Sequence, residues 1–316
     1  MIKYIIGRFG AMFLTLFLVM VLSFFIIRLM PMNIFENPET PPAIQEKLEN
    51  ELHLNDPLPV QLFYFLKNIV TDFNFGTSVK LKPGMPVFLV MVDRIPPTVL
   101  LNFLSLFISI PLGLIAGTAA ALKRNTWVDS VISFMVVLFI SIPSFVFASL
   151  MQYFLTFIWP IFPTLYNPNG GLALQLYSMV LPILALALNP IATIARYLRG
   201  ELIENLSSEY LLLARTKGLS RAQATVRHAF RNSLIPISNT LISLLTGIMG
   251  GSLVIEKMFA VPGMGGQLVE SIMNGDHFLT VALLIFYAAI SLVTILLVDL
   301  SYGIIDPRVR VGGGNK

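Results

Sequence analysis

Apolar positions in this chain come in long unbroken runs rather than in helical stripes or strand alternation, and polar positions collect between the runs. The first run, Phe9–Ile27, matches the roughly 20 residues a helix needs to cross a bilayer core, with Lys3 and Arg8 before it. It is about twice a secretory h-region, and no small-residue cleavage site follows, so it predicts a first span. Five more runs follow: Thr98–Leu122, Val131–Trp159, Met179–Ala195, Ile235–Ile255 and Phe278–Leu300. Pro111, Pro143, Pro182 and Pro190 lie in or near them and predict kinks, which membranes tolerate where neighbouring helices or a cavity satisfy the freed carbonyls. The expectation is an all-α membrane protein with six transmembrane helices.

Two polar stretches stand out between the runs. After Met30, prolines 31, 38, 41 and 42 break helix; Ala43–Leu54 predicts a short charged helix, and Val60–Val70 an amphipathic, aromatic one. Phe75-Gly-Thr-Ser78 and Lys82-Pro-Gly-Met-Pro86 read as loops. This layer is longer than an ordinary connection, which favours a docking or covering role.

The second stretch is Glu209–Pro236. Ser207 or Ser208 can cap a helix that starts at Glu209, whose acid suits the positive helix end. Lys217 closes that helix, and Gly218 supplies a left-handed C′ position. Ser220 and Gln223 predict a capping box for a second helix. The predicted unit is helix–Gly–helix at the membrane surface. Leu211, Leu212, Leu213 and Ala214 form an apolar knob, and Arg227 and Arg231 fall on one face at i,i+4 spacing. Such a unit fits a groove on a partner, and equally an anionic lipid surface.

Composition narrows the class. Of 316 residues, 56% are hydrophobic and 12% charged, against about 25% charged in soluble domains. Without cysteine there is no disulfide, Fe–S cluster or cysteine-based zinc site. His53, His228 and His277 lack ligand spacing and read as surface groups rather than metal ligands. The net charge of +4 matters less than its placement. Lys3, Arg8, Lys123, Arg124, Arg196, Arg199, the cations of Glu209–Pro236, Arg308, Arg310 and Lys316 fall on one side, which the positive-inside rule makes cytoplasmic. Both termini are then inside and the 31–97 layer outside.

The interiors of the runs hold essentially no ionisable side chain. Ion-coupled carriers need such groups, and an intramembrane enzyme needs a nucleophile with its base, or a metal. A stand-alone carrier or channel, or a membrane enzyme, is therefore disfavoured. Polar residues such as Asn189, Asn239 and Ser243 either line an uncharged route or hydrogen-bond between helices. If the chain moves a solute, energy has to enter from outside the spans, and the Glu209–Pro236 handle is the natural port.

The handle resembles the EAA-type coupling loop of ABC importer permeases, in the form of the oligopeptide/dipeptide/nickel branch. The resemblance rests on Glu209-Tyr210, Ala214-Arg215-Thr216-Lys217-Gly218-Leu219, Arg227-His228-Ala229-Phe230-Arg231-Asn232 and Ile235-Pro236. Leu212 stands where the general motif has Glu, and the distance from Gly218 to Pro236 exceeds that of the short form. Pro57-Leu-Pro-Val-Gln61, Phe75-Gly-Thr-Ser78, Arg94-Ile-Pro-Pro-Thr98, Pro111-Leu-Gly113, Pro262-Gly-Met-Gly265 and Asp306-Pro-Arg308 extend it over nearly the whole chain. The long layer after the first span is similar to the first (B-type) permease. Pro262-Gly-Met-Gly265 is expected as a re-entrant turn, not a nucleotide loop.

The resemblance implies residues 1–30 as the first segment and span, 31–97 as an extracytoplasmic segment, and 98–316 as the permease core with its coupling loop at about 200–236. It implies a sister C-type permease, two cytoplasmic ABC ATPases and an extracytoplasmic peptide-binding protein as partners in a lipid bilayer, with no nucleic acid. This chain, without a Walker motif, would be no enzyme; ATP and Mg would be bound by the ATPases, and no cofactor here. The cargo would be a peptide, oligopeptide before dipeptide, with a nickel chelate as the alternative. Glu209, Tyr210, Leu212, Leu213, Ala214, Lys217, Gly218, Arg227 and His228 would carry coupling, and Asn189, Asn239 and Ser243 the route.

Overall fold

The structure, a computed structural model, describes residues 2–29, 53, 55–247 and 253–305. Most of the expected Ala43–Leu54 helix and all of Asp306-Pro-Arg308 lie outside the described residues. Among those described, the chain is helical, with an isolated bridge between Thr77 and Pro86. The helices are α1 (Ile2–Leu29), α2 (Leu58–Asp72), α3 (Val87–Val92), α4 (Ile95–Leu122), α5 (Trp127–Ser141), α6 (Ser144–Gln152), α7 (Gly171–Ser178), α8 (Val180–Leu206), α9 (Glu209–Thr216), α10 (Arg221–Ala224), α11 (Arg231–Gly247), α12 (Leu253–Met258), α13 (Met264–Asn274) and α14 (His277–Ile305). A π-helical turn, Tyr153–Ile158, extends α6, and another, Thr225–Phe230, joins α10 to α11.

Among the described residues four helical stretches are long and apolar enough to cross a membrane: Ile6–Ile26, Val87–Leu122, Val180–Leu206 and His277–Asp299. A fifth is counted if α5 and α6 form one broken span. The expected run Val131–Trp159 is therefore not a straight helix: it bends by 101° between Ser141 and Ser144. The reason is local. Pro143 holds Ile142 extended, at φ −94° and ψ 126°, because a residue before proline is excluded from helical ψ. Of the expected run Ile235–Ile255, the described residues hold α11 up to Gly247 and α12 from Leu253, and residues 248–252 lie outside those described. So the described residues do not supply the six uninterrupted crossings that hydropathy leads one to expect.

The central pair is α4 against α8. Gly113 and Gly117 make their approach possible: a Cβ on Gly113 would lie 2.7 Å from Ile194 Cβ, and one on Gly117 would lie 2.8 Å from the Ala195 carbonyl oxygen. Small residues four apart are a recurrent way to bring membrane helices together. Helices α5, α6 and α11 also pack on α8, while α1 lies apart from that group against α14. The two ends of α8 sit in separate apolar clusters, one around Leu101, Met179, Leu181 and Phe259, the other around Leu198, Leu202, Leu211 and Ile237.

Buried polar groups tie the remaining pieces together. Glu256, fully buried, accepts from Thr98 Oγ1 at 2.8 Å and from the Gly265 and Gly266 amides at 2.7 and 3.2 Å. Thr98 Oγ1 also accepts from the Met264 amide at 2.9 Å. This knot joins the start of α4 to α12 and α13. It also explains Pro262-Gly-Met-Gly265, because a Cβ on Gly263 would lie 2.4 Å from Glu256 Oε2. Asp276 does the same for Phe75-Gly-Thr-Ser78: it accepts from Ser78 Oγ and from the Lys80 and Leu81 amides. At the far end, Arg199 of α8 grips Asp129 of α5 with Nε and Nη2, at 2.6 and 2.8 Å.

Candidate functional site: a short hairpin fastened to two long helices

Eight residues make a helix too short to persist alone, so α9 exists because something holds it. Ser208 stands at its N-cap position with extended backbone, yet its hydroxyl donates back to the Asn205 carbonyl at 2.6 Å instead of capping. The holding is tertiary. Leu211 and Ala214, 6% and 7% exposed, join Leu198 and Leu202 of α8, Ala121 of α4 and Ile237 of α11 in one cluster.

The 100° step between helix residues divides the predicted four-residue knob. Positions 211 and 214 share the inward face, while Leu212 and Leu213 point out, 64% and 55% exposed. Ala214 thus supports α9 from within. Full burial of a leucine is worth about 1.5–3 kcal/mol, so two adjacent exposed leucines on a polar hairpin form a surface with a large unused burial term.

Beyond α9 the chain reverses. Lys217 is the C-cap; Gly218 takes φ +94°, where an L side chain is strained, and the Leu219 amide donates to the Ala214 carbonyl at 3.3 Å. The predicted capping box is present. The Gln223 amide donates to Ser220 Oγ at 3.2 Å and the Ser220 amide to Gln223 Oε1 at 3.0 Å. The second arm does not remain separate at a surface, as the helix–Gly–helix reading has it. It continues through the π turn into α11. Arg227 lies within that turn and Arg231 directly after it, so α-helical i,i+4 spacing does not describe them; both are exposed, and His228 is half-buried.

A polar link joins the hairpin to both long helices. Tyr210 of α9 donates its hydroxyl to Asn205 Oδ1 near the end of α8. Asn205 Nδ2 donates to Ser233 Oγ of α11 at 3.0 Å and to the Glu201 carbonyl at 2.8 Å. Ser233, fully buried, donates in turn to the Ala229 carbonyl at 2.8 Å. The Tyr210–Asn205–Ser233 link thus ties α9 to both α8 and α11.

Of the residues singled out from sequence, Glu209, Tyr210, Leu212, Leu213, Ala214, Lys217, Gly218, Arg227 and His228 lie on this hairpin, with Glu209 and Lys217 exposed at the two ends of α9. The route residues are elsewhere. Asn189 is exposed on α8, roughly 24 Å from Asn205 at 1.5 Å per residue. Ser243 is exposed on α11; Asn239 lies on the same helix, with its side chain outside those described. Asn205, Ser233, Asp129 and Arg199 were not singled out as site residues. Asn205 had one available signal: a side-chain amide two positions before the Ser207-Ser208 boundary. His277 is buried, against the surface reading of scattered histidines.

Comparison with known proteins gives this arrangement a context. Residues 84–311 match the family described as binding-protein-dependent transport system inner membrane component, and residues 1–102 match the N-terminal model of such membrane components. The chain is 39% identical over 311 residues to the dipeptide transport system permease protein DppB of Lactococcus lactis subsp. cremoris, covering 98% of this chain and 100% of that one. It is 36% identical to the oligopeptide transport system permease protein OppB of Escherichia coli K12 over the same shares. In fold it is similar to a chain of the inward-facing MetNI methionine ABC transporter, with TM-score 0.55 and 16% identity, covering 69% of this chain and 97% of that one.

Proposed function

The chain belongs to the binding-protein-dependent transport system inner membrane component family, and from that premise we propose that it forms part of a peptide conduit driven through α9. It is a multi-pass permease of the bacterial plasma membrane and not an enzyme. In the proposed reading both termini and the hairpin face the cytoplasm. An ATPase subunit seats Leu212 and Leu213, and an extracytoplasmic binding protein delivers peptide to the opposite face. A second permease completes the pathway. Nucleotide binding moves α9, and the Tyr210–Asn205–Ser233 link carries that motion to α8 and α11. Asn189, Asn239 and Ser243 are proposed along the route. Oligopeptide is favoured as cargo, with dipeptide next.

The observation that carries this reading is the two-faced character of α9: one face locked to the long helices, the other an exposed leucine pair. Gly218→Pro tests it. Proline cannot adopt φ +94°, so the substitution disrupts the reversal that aims α9. ATP-dependent uptake of a labelled peptide should be lost while the chain still inserts in the membrane. Uptake at the parental rate in that variant would remove the hairpin from the mechanism.

A further inference from the structure

Just beyond the apolar stretch of α1, Arg28 turns into a cavity of about 230 Å³ between the end of α1, α2 and the 74–77 loop. Its Nε donates to Gln61 Oε1 at 2.7 Å, and its guanidinium stands 5.7 and 5.8 Å from the Phe24 and Phe278 ring centres. Among the described residues no carboxylate pairs with it: Asp56, the nearby acid, is held by His53 Nδ1 at 2.8 Å. Burial lowers its pKa to about 10. Tyr64, Asn68 and Asn74 add polar groups to the same lining. A partly desolvated guanidinium that meets no carboxylate among the described residues, beside side-chain amides, is the chemistry that receives a phosphate or carboxylate.

The surroundings decide between those anions. Helix α1 packs against α14 and away from the α4–α8 centre, and it presents Leu14, Leu18, Leu22 and Ile26 to the outside. On α2, Val60, Phe63, Lys67 and Val70 recur at helical spacing and are exposed. An exposed apolar stripe with a lysine is the face of a helix lying in a bilayer interface. The cavity thus adjoins the exposed apolar face of α1, just past its membrane-crossing stretch.

We propose that this cavity is a headgroup site for a phospholipid of the outer leaflet, with the Arg28 guanidinium on the phosphodiester and α1 along the acyl chains. The leaflet follows from the orientation proposed above. Bound lipid would bridge α1 to α2 and steady the external layer on the first span.

Native mass spectrometry of the full chain, purified with whatever subunits accompany it, tests the site. Phosphatidylglycerol should be retained about tenfold or more over diglucosyl diacylglycerol of the same acyl chains, the ratio that loss of a charge-assisted hydrogen bond gives. Arg28→Gln should erase the preference. Asn68→Ala, a change at an exposed position that leaves the fold intact, should weaken it by about threefold. Equal retention of the two lipids, or an unchanged preference in Arg28→Gln, overturns the site. Displacement of lipid by a tripeptide but not by its C-terminal amide also overturns it, in favour of cargo. Because the chain has no cysteine, Asn68→Cys reports the side independently. Labelling by an impermeant thiol reagent from outside supports the outer leaflet, and labelling only from the cytoplasm overturns that assignment whether or not lipid is bound.

Discussion

Replacing Asn205 by alanine should uncouple transport from ATP hydrolysis without removing the protein from the membrane. The side chain makes three hydrogen bonds, and two of them cross between elements, to Tyr210 and to Ser233. A net hydrogen bond contributes about 0.5–1.5 kcal/mol. The Tyr210 side falls toward the low end, since that residue is 38% exposed and its hydroxyl can turn to water. On the other side, Ser233 keeps the Ala229 carbonyl as acceptor, so no buried donor is orphaned. The loss at the hairpin is then about 2 kcal/mol, roughly thirtyfold in the preference for the fastened arrangement. Folded proteins hold about 5–15 kcal/mol in reserve, so the chain remains folded. The assay is labelled-peptide uptake per ATP hydrolysed in proteoliposomes of the assembled transporter, with the amount of chain measured alongside. Uptake per ATP should fall about tenfold or more. Tyr210→Phe should cost a smaller part of this, and the double variant little beyond Asn205→Ala, because the two share one link. Unchanged uptake per ATP in Asn205→Ala, or a loss that tracks the amount of protein, would refute the link as a transmitter.

Two further substitutions probe the frame around the hairpin. Asp129→Ala leaves the Arg199 guanidinium without its partner beneath α5; with Arg199 a third exposed, the cost is about 2 kcal/mol, seen as a lowered melting temperature in detergent and regained in part by Arg199→Leu in the same chain. Gly117→Ala sets a methyl 2.8 Å from the Ala195 carbonyl oxygen and 2.9 Å from Leu198 Cβ; overpacking of this kind costs about 1–3 kcal/mol and should reduce the folded fraction recovered from membranes, whereas Gly200→Ala, where the added atom meets open space, should not.

What could be read from the sequence was what depends on near neighbours. Hydropathy placed α1, α4, α8 and α14, and cap chemistry found Gly218 and the Ser220–Gln223 box. Pro143 marks the break by local chemistry, but the packing of α5 and α6 on α8 that goes with its 101° angle is contained in no local window. The same holds for the buried polar ties. Thr98 and Glu256 are 158 positions apart, and Ser78 and Asp276 are 198 apart. The motifs around Thr98, Ser78 and Gly263 were visible as words, without the acids they serve. The division of the leucine run is different, since helical period alone puts Leu211 and Ala214 on one face and leaves Leu212 and Leu213 on the other.

The most direct test uses the chain's lack of cysteine. Leu212→Cys, treated with a short thiol-to-amine crosslinker in membranes containing the assembled transporter, should yield a product with the ATP-hydrolysing subunit, and the yield should change when nucleotide is added. Leu211→Cys, on the buried face of the same helix, should give none. A Leu212→Cys that reacts with lipid alone, or is reached only from the outer side, would contradict the assignment of α9 as the point where force enters.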